Sequence, residues 1–245
     1  MPEALLELRA ASIHYGDHAV LQELTLTLAA GEGLGIAGES GSGKSQLALA
    51  LMGLLPPTAR VGGEWWFQGH NLQALGHRAR RRLRGRQMAL VFQDPMTSLN
   101  PYLTVGLQLT EMLELHRATT RHSARAAALR MLDAMRVRDA VRVLEQYPHA
   151  LSGGLRQRVM IAMMLLADEP TTALDVTVQA EILRLLHGLR RELGLTLIMI
   201  SHDLGVLAAV AEQLLVLYAG TVLEHGATAQ LLAAPAHPYT RALLA

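Results

Sequence analysis

The stretch GESGSGKS, from Gly38 to Ser45, decides the fold of this chain. It follows a short apolar run, residues 34–37, and precedes an apolar-faced run, residues 45–55, so the pattern predicts a strand, a glycine-rich loop and a helix in succession. Gly38, Gly43, Lys44 and Ser45 stand at the fixed positions of the spacing G-x-x-x-x-G-K-S. Glycines let backbone N–H groups approach a polyphosphate, and the start of a helix adds its positive end. The stretch therefore predicts a triphosphate site in which Lys44 contacts the terminal phosphates and Ser45 binds Mg²⁺.

Composition is typical of a globular enzyme. The chain has 245 residues, of which 51% are hydrophobic and 18% charged, enough to bury a substantial core. A net charge of +1 gives no general attraction to nucleic acid, and the absence of cysteine excludes disulfides and thiolate metal sites. No apolar run approaches the length needed to cross a bilayer, so a membrane role would come through partners.

Three regions differ in their pattern. Residues 5–69 are strand-rich, with near-perfect alternation in LQELTLTLAAG, whereas residues 103–147 carry apolar residues at helical spacing. From Gly154 onward, helical and strand patterns alternate. This rhythm predicts an α/β fold with a largely parallel, helix-covered sheet and a helical insertion.

Two further stretches carry chemistry. In LLADEP, residues 165–170, we interpret an apolar strand that ends at Asp168 and Glu169, one carboxylate to hold Mg²⁺ and the other to orient or deprotonate water. Taken alone, the stretch could equally be an acidic helix start. His202 follows the apolar run LTLIMIS and is placed beside the other strand-end residues. Phosphoryl transfer depends mainly on positioning and charge compensation, which such residues supply.

The ensemble GESGSGKS, VFQDP, LSGGLRQR, LADEPTTALD and ISHD resembles the nucleotide-binding subunit of an ATP-binding-cassette (ABC) transporter. The resemblance implies a P-loop NTPase fold, with a RecA-like core, an antiparallel β subdomain and a helical subdomain. It implies one ABC ATPase domain over residues 1–245. Residues 1–92 and 160–245 approximately form the core with the β subdomain, and residues 93–159 approximately form the helical subdomain with the signature motif.

The same resemblance assigns roles to residues. Its catalytic set comprises Glu169 as general base, His202 at the γ-phosphate and Gln93 near the attacking water. ATP and Mg²⁺ are the cofactors, and the residues implied for the metal are Ser45, Gln93 and Asp168. Tyr15 would stack on adenine, Asp175 would organise the subunit interface, and Ser152, Gly153 and Gly154 would bind the γ-phosphate held by an opposing subunit. The remaining nucleotide-binding residues are Gly38, Ser40, Gly41, Gly43, Lys44 and Ser45.

Within that family, QDPMTSLNPYLTVG, ADEPTTALDVTVQAEIL and HPYTRALLA resemble the ATPases of bacterial oligopeptide and dipeptide importers. The resemblance implies a second ABC ATPase subunit, identical or homologous, two transmembrane permeases and an extracytoplasmic solute-binding protein. It places the chain at the cytoplasmic face of the bacterial inner membrane, as a peripheral subunit.

Three alternatives stay open from the sequence. Nickel or metal-chelate importers form a closely similar branch. A soluble cassette ATPase acting on nucleic acid or ribosomes is supported only by RARRRLRGR, residues 78–86, which we interpret as a solvated helix face, so no nucleic-acid partner is expected. An inactive nucleotide-binding structural subunit is the third alternative.

One departure from the family motivates the third alternative. Thirteen residues separate Gly154 from Asp168, whereas the family places a helix, a reversing loop and a strand there, roughly ten residues more. We expect absent residues, either an internal deletion or a hidden break near Met164 with neighbouring Cα atoms much more than about 3.8 Å apart. In a continuous chain, the strand before Asp168 would be displaced or shortened. A cysteine-bearing extension beyond HPYTRALLA is also expected in the peptide branch, and its absence from the sequence is expected to reflect a truncation or the shorter nickel branch.

Overall fold

A computed structural model describes residues 4–84, 87–91, 99–117, 120–166, 171–175, 187–188, 190 and 194–244. The chain forms two compact units, one of residues 1–81 and 172–245 and the other of residues 82–171. Within the described ranges, no helix combines the length and the apolar character required to cross a bilayer.

The strands of the described chain are β1 (Ala4–Tyr15), β2 (His18–Ala29), β3 (Gly33–Ala37), β4 (Ala59–Phe67), β5 (His70–Asn71), β6 (Met88–Val91), β7 (Thr171–Asp175), β8 (Leu197–Ser201), β9 (Gln213–Tyr218) and β10 (Thr221–Ala227). The α-helices are α1 (Lys44–Leu51), α2 (His77–Leu83), α3 (Val105–Arg117), α4 (Arg121–Ala134), α5 (Ala140–Glu145), α6 (Gly153–Leu166), α7 (Leu204–Ala208), α8 (Thr228–Ala233) and α9 (Pro238–Leu244).

The first unit contains an antiparallel sheet ordered β2-β1-β4-β5. Its core forms because β2 alternates: the leucines at 24, 26 and 28 are buried, while the residues between them are exposed. In the ladder, Leu8 of β1 lies opposite Leu26 on one side and Trp65 on the other. Trp65 is 1% exposed, so the strands of the predicted β-rich region pack against a buried apolar layer.

The same unit contains a second sheet in which β10, β9, β3, β8 and β7 follow one another. β3 pairs in parallel with β8 and β9, and every residue of β3 and β8 is buried. Continuous apolar runs of this kind are typical of parallel strands covered on both faces. The predicted strand before the glycine loop is confirmed, and its carboxyl end leads directly into that loop.

The second unit is mainly helical. Its core residues lie three or four positions apart on α3 and α4, for example Leu109 and Leu113 on α3, which are almost fully buried. The Thr120 hydroxyl accepts a hydrogen bond from Ser123 N (3.3 Å) and so caps α4. Of the arginine run on α2, Arg78, Arg81 and Arg82 are exposed, as a solvated face requires.

The strand predicted within residues 165–167 is wrong. Helix α6 runs from Gly153 to Leu166, and a strand forms later, at Thr171–Asp175, where it pairs in parallel with β8. The apolar Met, Leu and Ala residues of this segment are strong helix formers, and no breaker follows Gly154 before Leu166. The helix is continuous through Met164, so the hidden break is also wrong, whereas the displaced strand expected of a continuous chain is confirmed.

Candidate functional site

The glycine-rich loop between β3 and α1 has a backbone that only glycine tolerates at two positions. Gly38 has φ 149°, and a Cβ atom there would lie 2.1 Å from the Leu217 carbonyl oxygen. Gly43, which precedes α1, has φ 102°, and its Cβ would lie 2.6 Å from the Val20 carbonyl oxygen. Both contacts are with backbone, which cannot move aside easily. The loop is therefore pressed against β2 and β9, and its tight course depends on glycine.

The Lys44 side chain forms hydrogen bonds with other residues of this loop. Its Nζ donates to Gly38 O (2.8 Å), to Glu39 O (2.5 Å) and to Ser42 Oγ (3.1 Å). The first turn of α1 contains no acidic residue, so the positive end of the helix is not neutralised there. The loop consequently carries a fixed ammonium group beside a helix start, which is an electrostatic environment that favours anions.

The outer part of the loop is open. Ser40 and Gly41 are exposed, and no atom of the described residues lies within 4 Å of a Cβ built at Gly41. Solvent therefore reaches this side of the loop. An exposed loop tip of this kind is compatible with the predicted phosphate site.

Ser45, the second residue of α1, is exposed beside the loop. Mg²⁺ in nucleotide sites is usually held by one or two protein oxygens together with substrate phosphates and water. In the described ranges, no group of three or more histidine or acidic residues could hold a metal. The Ser45 hydroxyl fits a Mg²⁺ site that protein and phosphate oxygens share.

Tyr15 ends β1 close to the first turn of α1. Its hydroxyl donates to Gln46 Oε1 at 2.7 Å, and the residue is half-buried. This bond places the aromatic ring of Tyr15 near the helix that follows the loop. Stacking of that ring on adenine stays a prediction.

The carboxyl end of β8 lies beside the same loop. Ser201 is in register with Ala37, so the exposed His202 follows at the edge where Gly38 begins the loop. The next residue, Asp203, has a structural role that the sequence analysis missed: its Oδ1 accepts from Gly205 N (2.8 Å) and Val206 N (3.1 Å) and caps α7. The N-cap fixes the chain direction immediately after His202.

Asp175 is the last residue of β7 and is in register with Ile200, so its backbone lies at the carboxyl edge of the same sheet. Its predicted interface role stays a prediction. The predicted catalytic and metal-binding residues Gln93, Asp168 and Glu169 lie outside the described residues.

The predicted signature residues lie in the second unit, at the start of α6. Ser152 and Gly153 are exposed, and within the part of the chain that the structure describes a Cβ at Gly153 would meet no atom within 4 Å. Ser152 Oγ accepts from Leu155 N at 3.4 Å, which makes it the N-cap of this 14-residue helix. Gly154 follows within the first turn. These residues form an accessible helix start with a hydroxyl, as contact with an external anion requires.

An ion pair between the buried Arg190 and the half-exposed Glu212 fixes the start of β3, and the sequence analysis did not find it. Glu212 Oε2 accepts from Gly33 N (2.7 Å), while Arg190 donates to Glu212 Oε1 and to Val210 O (2.6 Å). Burial raises the pKa of Glu212, but the hydrogen bonds from Arg190 and Gly33 outweigh it, so the pKa lies below its ordinary value. The partners are far apart in sequence, and no local pattern indicates them.

Comparisons with known proteins agree on one family. The family described as ABC transporter matches residues 21–178. The oligopeptide transport ATP-binding protein OppD of Salmonella typhimurium is 51% identical over 236 residues, covering 94% of this chain and 70% of that protein. The dipeptide transport ATP-binding protein DppD of Haemophilus influenzae is 45% identical over 253 residues, covering 98% and 77%.

A solved structure is similar in fold and in sequence. The dimeric post-hydrolysis state of an ATP-binding cassette bound to ADP and Pi superimposes with a TM-score of 0.78 at 26% identity, covering 91% of this chain and 98% of that one. The predicted α/β cassette fold is confirmed.

Proposed function

This chain belongs to the ATP-binding subunits of ABC transporters, and we propose that ATP hydrolysis by it powers the uptake of oligopeptides or dipeptides. The observation that carries this conclusion is the 51% identity to OppD over 94% of the chain. The chain is also similar to DppD. Both of these relatives are peptide transport ATP-binding proteins. The phosphate loop described above supplies the ATP site that such an ATPase needs.

Within this site, Lys44 contacts the β and γ phosphates of ATP, and the exposed Ser45 hydroxyl takes a place in the Mg²⁺ shell. Mg²⁺, when bound, neutralises the charge that develops on the transferred phosphoryl group. Support for Lys44 comes from its location inside the loop, where its ammonium is already fixed by Gly38 O and Glu39 O. Tyr15 contacts the adenine side, consistent with its bond to Gln46 in the first turn of α1.

His202, which follows the carboxyl end of β8, takes part in the hydrolytic step together with Gln93, Asp168 and Glu169. Glu169 acts as general base toward water, Asp168 and Gln93 support the metal, and His202 contacts the γ-phosphate. The exposed position of His202 beside Gly38 supports its part of this assignment. Replacing Glu169 with glutamine should abolish ATP turnover while ATP binding persists, because the carboxylate is needed only for the reacting water.

A second cassette completes the site. Ser152, Gly153 and Gly154 of one subunit contact the γ-phosphate bound by the other, and Asp175 organises that interface. The accessible start of α6 supports this role, as does the dimeric structure of the similar cassette with ADP and Pi. Two permeases and an extracytoplasmic solute-binding protein complete the importer, and the cassettes lie at the cytoplasmic face of the inner membrane. No nucleic acid takes part.

An internal deletion accounts for the short segment before Asp168. The alignment with DppD is 253 positions long, whereas this chain has 245 residues, so that relative carries residues with no counterpart here. The chain nevertheless retains the stretch LADEPTTALD. The deletion thus changes where the strand forms and leaves the motif residues present.

The test is transport by the purified complex. The chain is purified together with its partner subunits, and the complex is reconstituted in liposomes. ATP is supplied on the side of the membrane where the cassettes lie. Radiolabelled dipeptide or oligopeptide should accumulate with ATP and fail to accumulate with Glu169→Gln. Uptake of nickel without peptide would reassign the substrate, and equal ATP turnover by wild type and Glu169→Gln would refute the assigned base.

A further inference from the structure

The last helix of the chain touches the phosphate loop. Glu39 N–H, immediately after Gly38, donates to the Tyr239 hydroxyl at 3.0 Å, although 200 residues separate the two in sequence. Tyr239 lies in α9, within the stretch HPYTRALLA that the assignment of catalytic residues leaves without a role. A contact so far apart in sequence connects the carboxyl-terminal segment to the site of nucleotide binding.

This contact orients one peptide group of the loop. The Glu39 N–H and the Gly38 C=O belong to the same planar peptide unit, so fixing the direction of one fixes the direction of the other. Gly38 O accepts from Lys44 Nζ at 2.8 Å. The peptide is therefore held at both ends, by Tyr239 through its N–H and by Lys44 through its carbonyl oxygen.

Tyr239 is itself held in place. Its ring packs against Tyr218, with centroids 4.8 Å apart and ring planes at 56°. The chain leading into α9 is fixed to β10, because Ala236 N donates to Glu224 Oε1 at 2.6 Å. Thr240 beside it is fully buried. Tyr239 thus presents its hydroxyl to the loop from a fixed position.

The loop has a second support on the same side. Gly220, just after β9, donates from its N–H to Ser42 O at 3.1 Å. Burial raises the pKa of the Tyr239 hydroxyl above its ordinary value, so the group stays neutral near neutral pH and keeps the same hydrogen-bonding capacity. Hydrogen bonds from the carboxyl-terminal part of the chain therefore hold the loop on both sides of its exposed tip, at Glu39 and at Ser42.

We propose that Tyr239 is a positioning residue for nucleotide binding, which keeps the Gly38–Glu39 peptide in the orientation that Lys44 and the incoming phosphates require. The proposal rests on the proposed function, since it takes the loop as the ATP site. Without the Tyr239 hydroxyl, the Gly38–Glu39 peptide loses one of the hydrogen bonds that fix its orientation. ATP binding must then also order the loop, and this cost lowers the affinity for ATP. The effect falls on affinity and not on the chemical step, because Tyr239 touches the loop and not the reacting atoms.

Tyr239→Phe removes the hydroxyl and retains the ring, and Tyr218→Phe removes a hydroxyl from the other ring of the same pair. Titration of the protein with Mg-ATP should give a dissociation constant about two- to tenfold higher for Tyr239→Phe, the range for one neutral hydrogen bond, and an unchanged one for Tyr218→Phe. In the complex, KM for ATP should rise in proportion while kcat stays constant. Amide hydrogen exchange at Glu39, measured by NMR, should accelerate in Tyr239→Phe.

Lys44→Ala separates this inference from the proposed function. If Lys44→Ala weakens ATP binding but Tyr239→Phe binds like wild type, the positioning role is wrong and the ATP site stands. If Lys44→Ala binds ATP normally, the ATP site itself is wrong. A Tyr239→Phe protein that loses thermal stability and kcat together, with unchanged exchange at Glu39, would also overturn the positioning role in favour of a structural one.

Discussion

Replacing Glu212 with glutamine tests how the central strand β3 is fixed ahead of the phosphate loop. The Arg190 side chain is 7% exposed and that of Glu212 is 53% exposed. Removing one partner of a fully buried ion pair costs about 3–5 kcal/mol, because the other charge stays buried and unpaired. Since water screens the exposed half of Glu212, we expect a loss of about 1–3 kcal/mol in the free energy of unfolding.

The assay is thermal unfolding, for which this loss corresponds to a fall in Tm of roughly 2–10 °C for a chain of this size. Glu64→Gln is the matched control. Glu64 pairs with Arg9 at the surface, with side chains 51% and 59% exposed, so that substitution should leave Tm unchanged. Equal Tm values for Glu212→Gln and Glu64→Gln would refute the reasoning.

The same pair predicts a pH dependence. The pKa of Glu212 is lower in the folded protein than its ordinary value of 4.5, so the unfolded chain binds the proton more readily. The stabilisation by Glu212 is therefore fully present above that ordinary value and is lost as the pH falls through the folded pKa. The Tm difference between wild type and Glu212→Gln should be largest near neutral pH and should shrink in acid.

Two further predictions concern the ATP site. Gly38→Ala should weaken Mg-ATP binding at least about tenfold in a titration, because its Cβ would lie 2.1 Å from Leu217 O. Gly76→Ala, whose Cβ would have no described neighbour within 4 Å, should bind normally. The chain has no cysteine, so Ser40→Cys and Ser152→Cys can be introduced singly and mixed. When the chains also carry Glu169→Gln, ATP should promote a disulfide between the two introduced cysteines. Gels should show it as a crosslinked dimer. Equal binding by both glycine variants, or crosslinking indifferent to ATP, would contradict these predictions.

Local sequence was sufficient for the phosphate loop and its flanking elements. The five residues of β3 are all buried and apolar or glycine, and the loop glycines stand where positive φ is required, so the strand and loop can be predicted from adjacent residues alone. The same holds for β8 before His202, since a fully apolar run bounded by polar residues is typical of a buried parallel strand.

The strand near Asp168 shows where local reasoning failed. The apolar residues at 165–167 suit a strand or a helix equally, and the family resemblance favoured a strand. In the continuous chain, α6 extends to Leu166 because no residues remain for a reversal, and Thr171–Asp175 pairs with β8 instead. The outcome depends on the length of the segment, which no individual residue reveals.

Contacts between distant residues were also beyond prediction. Tyr239 meets Glu39 across 200 positions, and Glu212 meets Gly33 across 179. Each depends on the order of strands in the sheet, which brings β9 and the carboxyl-terminal segment beside β3 and its loop. A sequence pattern identifies residues that can bind phosphate, whereas the groups that hold those residues in place come from tertiary structure.

The most direct test of the account is calorimetric titration of the purified chain with Mg-ATP, comparing wild type with Lys44→Ala. We expect saturable binding of one ATP per chain for wild type, and binding at least about tenfold weaker for Lys44→Ala, since hydrogen bonds to charged groups contribute about 1.5–3 kcal/mol. Both proteins should unfold at the same temperature within a few degrees. Equal affinity of two equally folded proteins would contradict the claim that residues 38–45 bind the triphosphate.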